Sequence, residues 1–153
     1  MINTLSILIP TYNNVCIELV RSLQAQASLL VSSGNSPADS SVSSSGNSSG
    51  IFKYEILVAD DGSTDKATIE GNRLINTLPH CRYIEREKNV GRSAIRNFLA
   101  KEAQYPWLLF IDSDLHIDNP LFIENYSQAA GDVVVGGLKI GGNPCQWAHN
   151  LRY

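Results

Sequence analysis

A chain of 153 residues is long enough for one compact domain with its own core, and 43% hydrophobic against 18% charged residues is an ordinary soluble balance. A formal net charge of -3 argues against nucleic acid or an anionic membrane as partner, so a phosphate ligand must be held locally by a cation, by Arg or Lys, or by backbone N–H groups. Cys16, Cys81 and Cys145 are odd in number and scattered, which excludes a disulfide framework or a Cys-x-x-Cys zinc site.

In chain order, Leu5–Ile9 is a short apolar run closed by Pro10, the pattern of a buried strand. Cys16, Val20, Leu23, Ala27 and Leu30 then recur at helical spacing and mark one face of a first helix. A second strand is predicted over Tyr54–Ala59, followed by a helix running from an N-cap at Ser63 toward Leu78, with Pro79 beyond it. Tyr83 and Ile84 suggest a short third strand. A third helix spans about Arg92 to Ala103, with Ile95, Phe98, Leu99 and Glu102 on one side. Trp107–Ile111 reads as a buried fourth strand, Pro120 as the first turn of a helix ending near Ala130, and Asp132–Gly136 as a fifth strand. Strands alternating with helices predict an α/β fold, a mainly parallel sheet with helices on both faces.

Residues Ser32–Gly50 interrupt this alternation with Ser, Gly and Asn. They offer too little apolar area to offset their ordering entropy and are expected to be a flexible insertion within a single domain over 1–153. No run approaches the roughly 20 apolar residues of a bilayer span, and the N-terminus lacks the pattern of a secretory signal. The expectation is a cytoplasmic chain with no membrane segment of its own, any membrane association coming from regions outside it.

Ligands of parallel α/β sheets bind at the carboxyl ends of the strands, near the point where strand order reverses. Here the first apolar run is followed by Pro10-Thr11-Tyr12-Asn13-Asn14, the second by Asp60-Asp61-Gly62-Ser63-Thr64-Asp65, and the fourth by Asp112-Ser113-Asp114. So many carboxylates on one edge repel one another unless a cation or a donor-rich ligand joins them. Asp112 and Asp114, one residue apart beyond a buried strand, can offer oxygens to one hard divalent ion, Mg²⁺ or Mn²⁺, that also binds phosphate and water. One of Asp60 and Asp61 is expected to accept N–H groups of its own turn, leaving the other free for a ligand N–H such as the imide of uracil. Tyr12 can flank a base with its ring. Gly91 and Arg92 open a helix and can approach a diphosphate, whereas Arg96 is expected to serve an internal ion pair. His116 lies near this edge but reads as an exposed or satisfied loop histidine.

In order, SILIPTYNN, ILVADDGSTD, NVGRSAIRNFLA and LLFIDSDLHID resemble the GT-A-fold glycosyltransferases of family 2, from Leu5 to about Gly137. The resemblance implies a Rossmann-like nucleotide-diphospho-sugar transferase fold. It also implies a nucleotide-diphosphate sugar donor, most simply a UDP-sugar, a saccharide or lipid-linked acceptor, and an inverting displacement. Carried over by position, Pro10 and Tyr12 line the base pocket, and Asp61, or failing it Asp60, bonds the base. Arg92 reaches the diphosphate or sugar, and Asp112 and Asp114 form an Asp-x-Asp metal motif with Asp114 the direct ligand. Two departures stand out. The link between first helix and second strand is long, and nothing after Gly137 supplies the acidic catalytic base of the family, so that base is expected beyond Tyr153 and this chain by itself is expected to be inactive. Two other classes use similar carboxylates. A haloacid-dehalogenase-type phosphatase places its Asp-x-Asp on the first strand and a Thr or Val where His116 stands here; a non-catalytic receiver module needs its acidic pair after the first strand and a Lys after the fifth, and a non-catalytic nucleotide-binding module is a further alternative.

Overall fold

The computed structural model describes residues 2–33 and 51–129. The expected strand at Asp132–Gly136 and positions 34–50 of the insertion lie outside them. The described elements run β1 (Thr4–Thr11), α1 (Ile17–Ser33), β2 (Lys53–Asp60), α2 (Lys66–Arg73) with a 3₁₀ turn at Leu74–Thr77, β3 (Cys81–Glu85), α3 (Arg92–Glu102), β4 (Leu108–Phe110) and α4 (Phe122–Ser127).

The four strands form one sheet in the order β3-β2-β1-β4, and every pairing is parallel. Strand alternation sends Ile7, Ile9, Ile56 and Val58 to one face, where they pack with Val20, Leu23 and Ala27 of α1, Ile75 of the 3₁₀ turn and Ile123 of α4. Leu8, Leu57 and Ala59 point to the other face and meet Ile95 and Leu99 of α3. Helices therefore cover both faces, as the alternating pattern predicts. The polar exception is Glu55, whose carboxylate is buried beside Ser6 and accepts from the Ser6 hydroxyl and the Gln104 N–H. A carboxylate desolvated there is tolerable because both donors come with it.

Four local expectations change. The α2 cap is Asp65, not Ser63: the Asp65 carboxylate accepts from the N–H and hydroxyl of Thr68. Ser63 instead donates its N–H to Asp60 and accepts from the Asn13 N–H, so it belongs to the loop before the helix. Ser32 and Ser33, assigned to the insertion, continue α1, where the Ser32 hydroxyl bonds the Ser28 carbonyl one turn back. Pro120 precedes α4 rather than opening it, because Asn119 accepts from the Leu121 N–H and holds a turn there. Finally, β4 is only half-buried, with Leu108 38% exposed, since it is, like β3, an edge strand among the described residues.

The cap gives a pH-dependent test. Thr68 holds the Asp65 carboxyl below its ordinary value of 3.8. Its contribution is therefore complete above that value and disappears as pH falls through the lower native pKa. Asp65→Ala should melt below wild type at neutral pH, and the difference, followed by circular dichroism down to about pH 2, should close at the acid end. A gap that persists there would assign the effect to something other than the ionised cap.

Candidate functional site

Chain direction puts the loops after β1, β2 and β4 on one edge. The order reverses between β1 and β4, since the chain leaves β1 toward β2 and β3 and returns to β1's other side. A cleft of about 530 Å³ lies at that edge. Six of the seven predicted binding residues line it: Pro10, Tyr12, Asp61, Arg92, Asp112 and Asp114. Tyr12 is 48% exposed, so part of its surface is open to a ligand.

Asp60 is not among the lining residues. It is buried, with one oxygen accepting from the Ser63 N–H at 2.7 Å and the other from the Tyr83 hydroxyl. Burial, then the adjacent Asp60 carboxylate, push the Tyr83 phenol far above its ordinary pKa, which keeps it a proton donor to Asp60. Asp60 is thus the structural member of the pair. Asp61 is not free either. Its two oxygens accept from the N–H groups of Val90 and Gly91, each at 2.9 Å, which fixes the loop that leads into α3. A carboxylate has about four lone-pair sites, so two acceptor positions remain on Asp61 for a ligand.

Gly62 makes that loop fit. Its φ is +76°, and a Cβ there would lie 2.6 Å from Asn89 N and 2.6 Å from Lys88 C. Gly91 also has positive φ, +90°, and its missing Cβ would face open space at the start of α3. The first N–H groups of a helix have no intrahelical partner.

On the opposite wall, Asp112 bonds two guanidinium groups, Arg92 at 3.2 Å and Arg96 more closely. The side chain of Arg96 is 28% exposed and lies over the Phe110 ring, with the guanidinium carbon 5.3 Å from its centroid. That of Arg92 is 75% exposed. An exposed pair of this kind is worth about 0–1 kcal/mol, so Arg92 can exchange Asp112 for another anion at little cost. Asp114 is exposed and has no hydrogen bond or ion pair among the described residues. No group of three or more His, Cys, Asp or Glu among those residues could enclose a metal ion. A cation here would take two carboxylates at most from these residues, with ligand oxygens and water completing its shell, which is how Mg²⁺ and its relatives bind with phosphates. His116 is 88% exposed beside Asp118, 3.0 Å away, and does not line the cleft.

Sequence reasoning passed over the two asparagines after β1. Asn13, at φ +47°, accepts from the N–H groups of Thr64 and Asp65 through its side-chain oxygen and latches the β1 loop to the β2 loop. Asn14 donates to the Ser113 carbonyl at 2.8 Å and to its hydroxyl at 3.2 Å. Asn in a left-handed turn is a recognisable signal for the first; a bond across 99 residues leaves none for the second.

An aromatic ring, acceptor oxygens, a glycine-led helix start and two carboxylates surround one cleft at the sheet's switch point, the place where α/β proteins of this open-sheet class hold their ligands. Residues 6–152 match the model of "Glycosyl transferase family 2", and the chain belongs to that family. It is 31% identical over 130 residues to the chondroitin synthase of Escherichia coli, an alignment covering 84% of this chain and 16% of that protein. S. aureus TarS, solved in complex with UDP-GlcNAc, is structurally similar at a TM-score of 0.54 and 25% identity, over 81% of this chain and 30% of that one. The chain thus spans under a third of the length of either relative. The GT-A, Rossmann-like fold that the motifs suggest is the fold observed.

Gly62→Ala forces a side chain into the positive-φ region and against the backbone of Lys88 and Asn89. It should destabilise the chain by about 1–3 kcal/mol in urea titrations, with the amide resonances of Val90 and Gly91 shifting most. Wild-type stability and spectra would mean that the loop does not depend on this contact.

Proposed function

We propose that the cleft is the donor site of a sugar-transferring enzyme and takes a nucleotide-diphosphate sugar, a UDP-sugar above others, together with Mn²⁺ or Mg²⁺. The observation that carries this is the convergence of Tyr12, Asp61, Gly91–Arg92 and Asp112–Asp114 on one cleft at the strand switch point. Family membership and the UDP-GlcNAc held by TarS support it.

Pro10 and Tyr12 would wall the base, and the remaining acceptor positions of Asp61 suit the imide N–H of uracil. Arg92, weakly held by Asp112, would turn to the diphosphate, where the unpaired N–H groups of the α3 start add positive potential. Arg96 would stay with Asp112, so its carboxylate keeps a fixed position and reduced charge. Asp114, with Asp112 beside it, would hold the cation, which when bound neutralises charge developing on the departing nucleotide diphosphate. The transfer itself would be a direct, inverting displacement at the anomeric carbon by an acceptor hydroxyl of a saccharide or lipid-linked acceptor. Of the carboxylates at the cleft, Asp61 and Asp112 are already bonded and Asp114 is assigned to the cation. The base that deprotonates the acceptor therefore lies outside the described residues, and the described portion binds donor without completing transfer. A nucleophilic Asp112, required by the phosphatase alternative, is disfavoured by the two guanidinium groups on its oxygens.

Titration calorimetry of UDP with and without Mn²⁺ tests the reading. Asp114→Asn should weaken the Mn²⁺-dependent binding by at least about tenfold, about 1.4 kcal/mol, and leave the metal-free binding unchanged. Equal Mn²⁺-dependent affinity in both proteins would remove Asp114 from the metal site.

A further inference from the structure

The Asp-x-Asp loop is tied to the rest of the molecule by more than its own strand. Asn72 of α2 is fully buried. Its side-chain oxygen accepts from the Cys16 N–H at 2.9 Å, and its amide donates to the Asn14 carbonyl at 2.9 Å. The same carbonyl accepts from the Thr11 hydroxyl at 3.0 Å. Asn14, so fixed along its backbone, spends its side-chain amide on the carbonyl and hydroxyl of Ser113, the residue between the two aspartates. Five hydrogen bonds thus tie the last turn of α2 and the β1 loop to the residue that separates Asp112 from Asp114.

We infer that Asn14 is a positioning residue for the metal-binding loop, with Asn72 as its support, and that it acts on cation binding without touching the cation. The inference rests on the donor-site reading above. Asp112 is already located by two guanidinium groups on its side chain. Asp114 has no partner among the described residues, so its position follows from the backbone at Ser113 and from nothing on its own carboxylate. Asn suits the task because its amide offers two N–H donors to two acceptors on one residue, while carrying no charge beside three carboxylates. An aspartate at 14 would set an acceptor against the Ser113 carbonyl, losing that bond, and would add a negative charge to the cleft. Groups that orient metal ligands typically contribute about 10–100-fold to metal affinity.

Two measurements on the 153-residue chain test this. The first needs no ligand: in ¹⁵N spectra, Asn14→Ala should shift the amide resonances of Ser113, Asp114 and Leu115 while the remaining β1 and β2 resonances hold. Unmoved resonances at 113–115 would overturn the inference, whatever the chain binds. The second is calorimetry of UDP with and without Mn²⁺. Asn14→Ala should reduce the Mn²⁺-dependent gain in affinity by about tenfold, Asn14→Asp by more, and Ser113→Ala, which loses only the 3.2 Å bond, by less. Metal-free UDP affinity should be the same in wild type, Asn14→Ala and Ser113→Ala, and lower in Asn14→Asp, whose added charge repels the diphosphate. A full Mn²⁺-dependent gain in Asn14→Ala, or an equal loss with and without metal, would overturn the positioning role. A wild-type chain that gains nothing from Mn²⁺ would instead overturn the metal-site reading, leaving the spectra to decide the tie itself.

Discussion

A parallel sheet sends all its carboxyl ends to one edge, and this sheet delivers Asp60, Asp61, Asp112 and Asp114 there. Like charges this close raise one another's energy unless each finds a partner, and the local structure is arranged around those partners. Asp60 is buried against a hydroxyl and an N–H, and Asp61 closes on two N–H groups of the α3 loop. Asp112 sits between two arginines. Each pairing also places something else: the turn into α2, the start of α3, and the wall of the cleft. Asp114 is left exposed, with no partner among the described residues.

The same arrangement explains the division of labour between the arginines. Arg96 is packed over Phe110 and mostly shielded, so its bond to Asp112 is costly to break. Arg92 is exposed and makes a longer bond, so solvent screening leaves it weakly held. One arginine can thus act as a fixed counter-charge and the other as a ligand-responsive arm, although both are four residues apart on a single helix.

Much of this was legible in the sequence. Apolar runs ending in acidic clusters located the strands and the edge where the cleft lies, because burial on both faces of a parallel sheet demands continuous apolar residues and the polar residues must follow them. The face of α1 and the start of α3 came from helical spacing and a glycine. The internal ion pair expected of Arg96 is present, with Asp112 as its partner. Other features left no local trace. Capping by Asp65 rather than Ser63 depends on Ser63 being drawn away by Asn13 and Asp60. The engagement of Asp61 depends on where the Val90–Gly91 backbone passes, and the Asn14–Ser113 tie joins segments 99 residues apart. The half-burial of β4 reflects its edge position, which its apolar composition does not reveal.

The central claim is that four loops from separate strands act as one binding surface. Mapping amide shifts during titration of the ¹⁵N-labelled chain with UDP and Mg²⁺, a diamagnetic ion that does not broaden the signals, tests it most directly. The account predicts that resonances at 11–14, 61–62, 89–92 and 111–114 move together with a single dissociation constant. Saturable shifts confined to one of these segments, or located away from the carboxyl edge of the sheet, would contradict it.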